Sequence, residues 1–137
     1  MLGEQVGEST GQVSGIRVLP LSSTGEIRTE SSFVGAGRLL GVEVTDIGTF
    51  VQTMRSDGVL HVEEGNVVMT GAGGQVASLS GFALGKPLGN GQSAHFASCG
   101  VIRTTAEAWK RLNGVAIVSE YDVDAQGRFT VRVWEWK

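Results

Sequence analysis

The stretch from Gly35 to Met54 (GAGRLLGVEVTDIGTFVQTM) limits what this chain can fold into more than any other. Leu40, Val42 and Val44 fall on one side of an alternating pattern, with Leu39, Gly41, Glu43 and Thr45 on the other. After Asp46-Ile47-Gly48 the alternation resumes, Phe50, Gln52 and Met54 opposite Thr49, Val51 and Thr53. Period-two patterning on both sides of a glycine-bearing break predicts a β-hairpin or a bent strand. One face is aliphatic and the other mixes small, hydroxyl and acidic residues. Such a sheet either wets its mixed face or curls around a partly polar interior. Leu40, Val42 and Val44 are expected to line the interior, with Glu43 and Thr45 toward water.

Glycine generalises this pattern to the whole chain. There are 21 glycines and 2 prolines in 137 residues. Glycine weakens the interior of regular structure, so this many belong at turns, bulges and crowded wall positions. A ragged strand is expected over residues 4–18, a loop at Leu19–Ser23, and a second strand over Gly25–Val34. Ser56-Asp57-Gly58 carries a turn signature. Val59–Glu64 reads as a strand, Gly65-Asn66 as a tight turn and Val67–Thr70 as a further strand. Gly71–Gly74 reads as a loop. Gln75–Leu84 and Gln92–Arg103 alternate around the turn-rich GKPLGNG segment at 85–91. Only at Thr104 does the period change. Thr104-Thr105-Ala106-Glu107 matches a capping box. Ala106, Trp109 and Leu112 share a helical face, and Asn113-Gly114 supplies a left-handed stop. The helix, near residues 105–112, would lay Trp109 over an open barrel end or sheet edge. A hairpin closes the chain, Val115–Val123 and Arg128–Trp136 about the turn 124–127.

Eight to ten strands with hairpin-length connections, and a single short helix, predict an all-β fold: one antiparallel β-barrel of about eight strands, mostly an up-and-down meander. Residues 1–137 form a single domain on this reading. Closure removes exposed sheet edges, and eight strands leave room for side chains or one small ligand.

Composition excludes several function classes. The net charge is −3 and the 11 Lys and Arg are scattered, so nucleic acid is not an expected partner. Cys99 is the only cysteine, which rules out an intramolecular disulfide and fits a reducing compartment. The first ten residues lack the basic and apolar regions of a signal peptide, and no run reaches the ~18 apolar residues of a membrane helix. The expectation is a cytoplasmic protein with no membrane association.

The segments WKRLNG (109–114), VAIVSEYDVDAQGRFTVRVWEWK (115–137) and GAGRLLGVEVTDIGTF (35–50) resemble an uncharacterised bacterial family of small β-barrel proteins. The architecture is similar to the allene oxide cyclase-type barrel, whose relatives include plant cyclases and bacterial polyketide cyclases. Lipocalins are the other eight-stranded comparison. The resemblance implies a lumen that accepts an apolar small molecule and transfers no catalytic residue.

Among the chemistry-bearing residues, His61 and Glu63 share one face of a strand, and His95 lies on a later one. Converging, they would hold a metal or exchange protons; the plainer reading makes them solvent-facing, and no metal or cofactor is expected. Glu43 is a candidate general acid or base if buried; its alternative is the solvent face beside Thr45. Tyr121 is a candidate ligand anchor or catalytic group, and equally a core residue. Cys99 alternates with Ala97 and Val101 without a flanking cation, as a buried small hydrophobe would. Phe129, Val131 and Val133 share one face of the last strand, and Trp134 and Trp136 the other. That second face calls for a cover, either the Trp109 helix or a second subunit, so a homo-oligomer, by symmetry a dimer, is expected.

Three functions remain open. The first is a non-enzymatic barrel binding a small apolar molecule against Phe50, Met54, Met69, Phe82, Phe96 and Tyr121. The second is a cofactor-independent cyclase or isomerase using Glu43, His61, His95 or Tyr121. The third is a solid-packed barrel acting through its oligomeric surface.

Overall fold

Leu40 and Gly41 both take positive φ, 47° and 78°, and they make the tight turn between two long strands. In a computed structural model of the chain, which describes residues 1–137, β2 (Arg28–Leu39) ends at this turn and β3 (Val42–Met54) begins after it. The break expected at Asp46–Gly48 is therefore absent: β3 runs straight through it. Two consecutive left-handed residues match the right-handed twist of the flanking strands. The turn also resets the alternation, so Leu39 faces inward and is 2% exposed. Val44 is buried, with Glu43 and Thr45 exposed.

The remaining strands are β1 (Leu2–Val18), β4 (Leu60–Gly71), β5 (Val76–Pro87), β6 (Ala94–Thr104), β7 (Ala116–Val123) and β8 (Arg128–Trp136). Each pairs antiparallel with its sequence neighbours, and β8 pairs back onto β1, so the eight-stranded barrel is closed and has no free edge. The expected turn at Gly65-Asn66 is a correction of another kind. β4 is continuous there, and its pairing with β5 skips from Val62 opposite Ala83 to Gly65 opposite Gly81. This bulge leaves Glu63 and Glu64 exposed together while Val62 before it is buried and Val67 and Met69 after it turn inward.

The connections alternate between two ends. At one end lie the Leu40-Gly41 turn, the 72–75 turn and the link between β6 and β7. That link contains the only helical piece, a 3₁₀ turn at Glu107–Leu112. Trp109 and Leu112 are 0% exposed and pack with Val6, Leu39, Val44, Met69, Ile102, Ile117 and Val133. The Trp109 indole N–H donates to the Leu39 carbonyl at 3.0 Å. The segment plugs the barrel end, and it leaves the Trp134/Trp136 face uncovered. The expected capping box does not form. The Thr104 hydroxyl accepts the Ala106 N–H and donates to the Val76 carbonyl, while Glu107 pairs with Lys110 at 2.6 Å. Asn113 takes over instead, its amide exchanging two hydrogen bonds with the Thr104 main chain. Arg111 then latches the plug to the wall, reaching Glu135 on β8 and Glu4 on β1, each at 3.1 Å.

The other end is filled by rings from the strands themselves. Phe33 meets Phe129 edge-on at 5.4 Å and Phe50 at 6.0 Å; Phe50 reaches Phe96 at 6.5 Å; Phe96 stacks on Tyr121 at 4.4 Å. Leu60, Val62, Ala83, Ala94 and Val123 complete this second cluster. No helix is long and apolar enough to cross a membrane.

Candidate functional site

Between the plug and the rings the barrel keeps a cavity of about 150 Å³. Its apolar wall includes Phe33, Phe50, Met69, Leu79, Tyr121 and Phe129. Polar side chains interrupt it, among them Ser9, Asp46, Ser98 and Ser119. Ser98 and Ser119 face each other across β6 and β7 and hydrogen-bond through their hydroxyls. Desolvation by the surrounding wall pushes the ionisation of the Tyr121 hydroxyl far above the ordinary range, and it stays a neutral phenol.

Asp46 is the singular group. It is 6% exposed, and its Oδ1 is fully buried without a hydrogen-bond partner. Burial pushes its carboxyl above the ordinary value of 3.8, and the nearby Ser9 hydroxyl pulls in the opposite direction. The pair meets because of what separates it. Asp46 on β3 opposes Gly35 on β2, and Ser9 on β1 opposes Gly37. With no side chain at either glycine, nothing stands between the carboxyl and the hydroxyl. A Cβ at Gly37 would press into the Ser9 main chain, 2.6 Å from its Cα. One at Gly35 would sit 3.0 Å from the tip of the Phe129 ring.

The residues picked out from the sequence separate into two groups. Phe50, Met69 and Tyr121 line the cavity. Phe96, 2% exposed, backs Tyr121 from within the ring cluster, and Met54 packs against that same cluster. Phe82 requires correction. It belongs to the wall at this level, but Ala83 beside it is the buried residue and the Phe82 side chain is 59% exposed. Alternation along β5 allows only one of the two inside.

Glu43 also stands outside, in a row of alternating charge set by strand register: Glu120, Arg132, Glu8, Arg38 and Glu43 on β7, β8, β1, β2 and β3. Opposite charges on adjacent strands account for its outward placement. His61 lies outward between the buried Leu60 and Val62. His95 pairs with Asp122 at 2.7 Å, and Glu63 is taken up by Thr53 at 3.1 Å and Arg55 at 3.6 Å. The two histidines do not converge, because β5 runs between their strands, with Leu84 opposite His61 and Lys86 opposite His95. No three His, Cys, Asp or Glu side chains come together as a metal site would need. Cys99 is half-buried in an outer row with Phe82, Val118 and Trp134, and the Arg132 guanidinium lies 5.9 Å from the Trp134 ring.

Asp46 and Ser9 escaped the sequence reading. Treating residues 46–48 as a break removed Asp46 from the alternation. The run Val42, Val44, Asp46, Gly48, Phe50 continues with period two, and following it would have placed the carboxyl inside.

No protein-family model matches the sequence, and no curated protein sequence does. Solved structures do resemble it. A conserved protein of unknown function from Rhodopseudomonas palustris superposes with a TM-score of 0.81 at 12% identity, over 99% of each chain. A β-barrel-like protein from Acinetobacter baumannii gives 0.82 at 12% identity, covering 100% of this chain and 96% of its own. A protein of unknown function from Clostridium acetobutylicum gives 0.82 at 11% identity over 98% of each. The class is thus a closed, eight-stranded antiparallel β-barrel shared with uncharacterised bacterial proteins. At these identities the likeness is one of fold alone.

Proposed function

We propose that this barrel binds a small, mostly apolar molecule in its lumen. The observation that carries the reading is the cavity of about 150 Å³, walled by aromatic and aliphatic side chains and left empty by the barrel's own residues. Protein interiors pack closely, and a solid-core barrel would fill that space. The size suits one aromatic ring or a short branched chain. Lipocalin-like binding in a barrel mouth is the nearest functional analogy. The test is native mass spectrometry of protein purified from its own host, together with calorimetric titration of toluene. A retained small molecule or saturable toluene binding supports the reading; an empty protein that takes up no apolar probe sinks it.

A second reading, a cyclase or isomerase of the allene oxide cyclase type, rests on Asp46. A buried carboxyl with a raised pKa inside an apolar chamber is a group suited to proton transfer. On this reading Asp46 exchanges the proton, Ser9 orients it, and the rings of Phe33, Phe50 and Phe129 shape the substrate. Conversion of an added apolar epoxide or enone by the wild type, lost in Asp46→Asn, would favour it over simple binding.

A further inference from the structure

Asp46 is the one buried charged-type side chain of the cavity wall, Glu8 and Arg38 being exposed, and its surroundings narrow what can lie against it. Asp46 Oδ1 is buried and without a partner, a costly state that a ligand with a hydrogen-bond donor relieves. An anionic ligand, such as a fatty or aromatic acid, would meet this carboxyl with like charge. It would also find no counter-charge: no lysine or histidine lines the cavity. Arg38, the one basic residue at its rim, is exposed on the outer face between Glu8 and Glu43. A neutral alcohol supplies a donor and no charge. A protonated amine supplies both, and the rings of Phe33, Phe50 and Phe129 that line the chamber can add cation–π attraction.

Resting on the lumen-binding reading above, we infer that the ligand is a small apolar amine whose ammonium group pairs with Asp46 beside the Ser9 hydroxyl. Gly35 and Gly37 put no side chain between Ser9 on β1 and Asp46 on β3, so both polar groups reach the headgroup together, and the Ser98–Ser119 hydroxyl pair on β6 and β7 is already satisfied. The chamber volume limits the apolar part to about one ring.

Calorimetric titration at neutral pH with benzylamine, benzyl alcohol and toluene tests this, since the three share one ring and differ in the headgroup. The expected result is at least tenfold tighter binding of benzylamine than of the other two by the wild type. Asp46→Asn is expected to erase that preference while toluene binding persists. Equal or tighter binding of benzyl alcohol or toluene by the wild type overturns the amine assignment and leaves lumen binding standing, as does a benzylamine preference that survives in Asp46→Asn. Failure of all three to bind overturns both. Should the variant misfold, the ranking of the three ligands on the wild type decides alone.

Discussion

The two ends of the barrel are closed by different means. One is stoppered by a separate segment, the 3₁₀ turn carrying Trp109 and Leu112, held from outside by Arg111. The other is packed by rings that the strands contribute themselves, from β2, β3, β6, β7 and β8. A stopper can be tight because its side chains are free to be chosen for fit, and both of its large apolar groups are completely buried. Rings fixed to a wall must keep to the strand register, and they leave the chamber where Asp46 lies. Stability should therefore concentrate at the plug, and selectivity in the wall beside the rings.

The plug supplies the hardest test of that division. Trp109→Ala should cost about 4 kcal/mol, from lost burial and a lost hydrogen bond to Leu39, measured by denaturant unfolding. If the division holds, whatever fraction stays folded keeps the wild-type ranking of ligands. Next in size, Gly37→Ala forces a Cβ against the main chain of β1 and should cost about 2 kcal/mol. Unlike the plug variant, it should also weaken ligand binding, because the displaced residue is Ser9.

Arg111→Ala unlatches the plug without emptying it, and should lower the melting temperature by about 3 °C at neutral pH. Burial pushes the Glu135 carboxyl up, but hydrogen bonds from Arg111 and Lys137 and their charges pull it down further, to a net value below its ordinary 4.5. A lowered folded pKa stabilises above the ordinary value and is lost as pH falls through the folded one. Melting curves of wild type and Arg111→Ala should therefore converge in acid.

Asp46→Asn is expected to have an effect of about the same size as Arg111→Ala, and the opposite sign. A raised folded pKa favours the fold below 3.8 and works against it as pH rises through the folded value. At neutral pH the variant should be more stable by about 1 kcal/mol, the gap narrowing as pH falls toward 3.8. A wild type more stable than this variant at neutral pH would mean the lumen does not strain the carboxyl.

The architecture was legible because it depends on period and punctuation. Alternation marked the strands, and Asp124–Gly127 marked the last hairpin at nearly its true limits. The sequence also pointed to Trp109 as the cover of an open end, since a two-turn helical pattern after so many strands has few other uses. What stayed hidden depended on phase. A Leu-Gly pair does not look like a turn among aliphatics, yet it shifted the inward set by one residue and buried Leu39. At Gly65 the opposite occurred: a glycine-asparagine pair that looks like a turn is a continuous strand beside a bulge. Phe82 was misplaced for the same kind of reason, because nothing in its neighbours tells which of Phe82 and Ala83 turns inward. Asp46 is the costliest case, because a carboxyl looks natural in a break and unnatural in a lumen, and only the register shows which it is.

The seam between β1 and β8 carries a kinetic consequence. Every other pairing in the barrel joins strands adjacent in sequence and can form locally. The seam joins Gly7 to Val133 and Ser9 to Val131, across nearly the whole chain. Its closure bears the largest loop entropy in the molecule, which makes it the slow step of folding. Asp46 and the glycines of β2 sit on strands that can assemble early, but the lumen they face has no second wall until that seam zips. The binding chamber is thus created all at once by the final closure, and ligand present during refolding should report on that moment: binding should appear with seam protection in pulsed hydrogen exchange, and not before it.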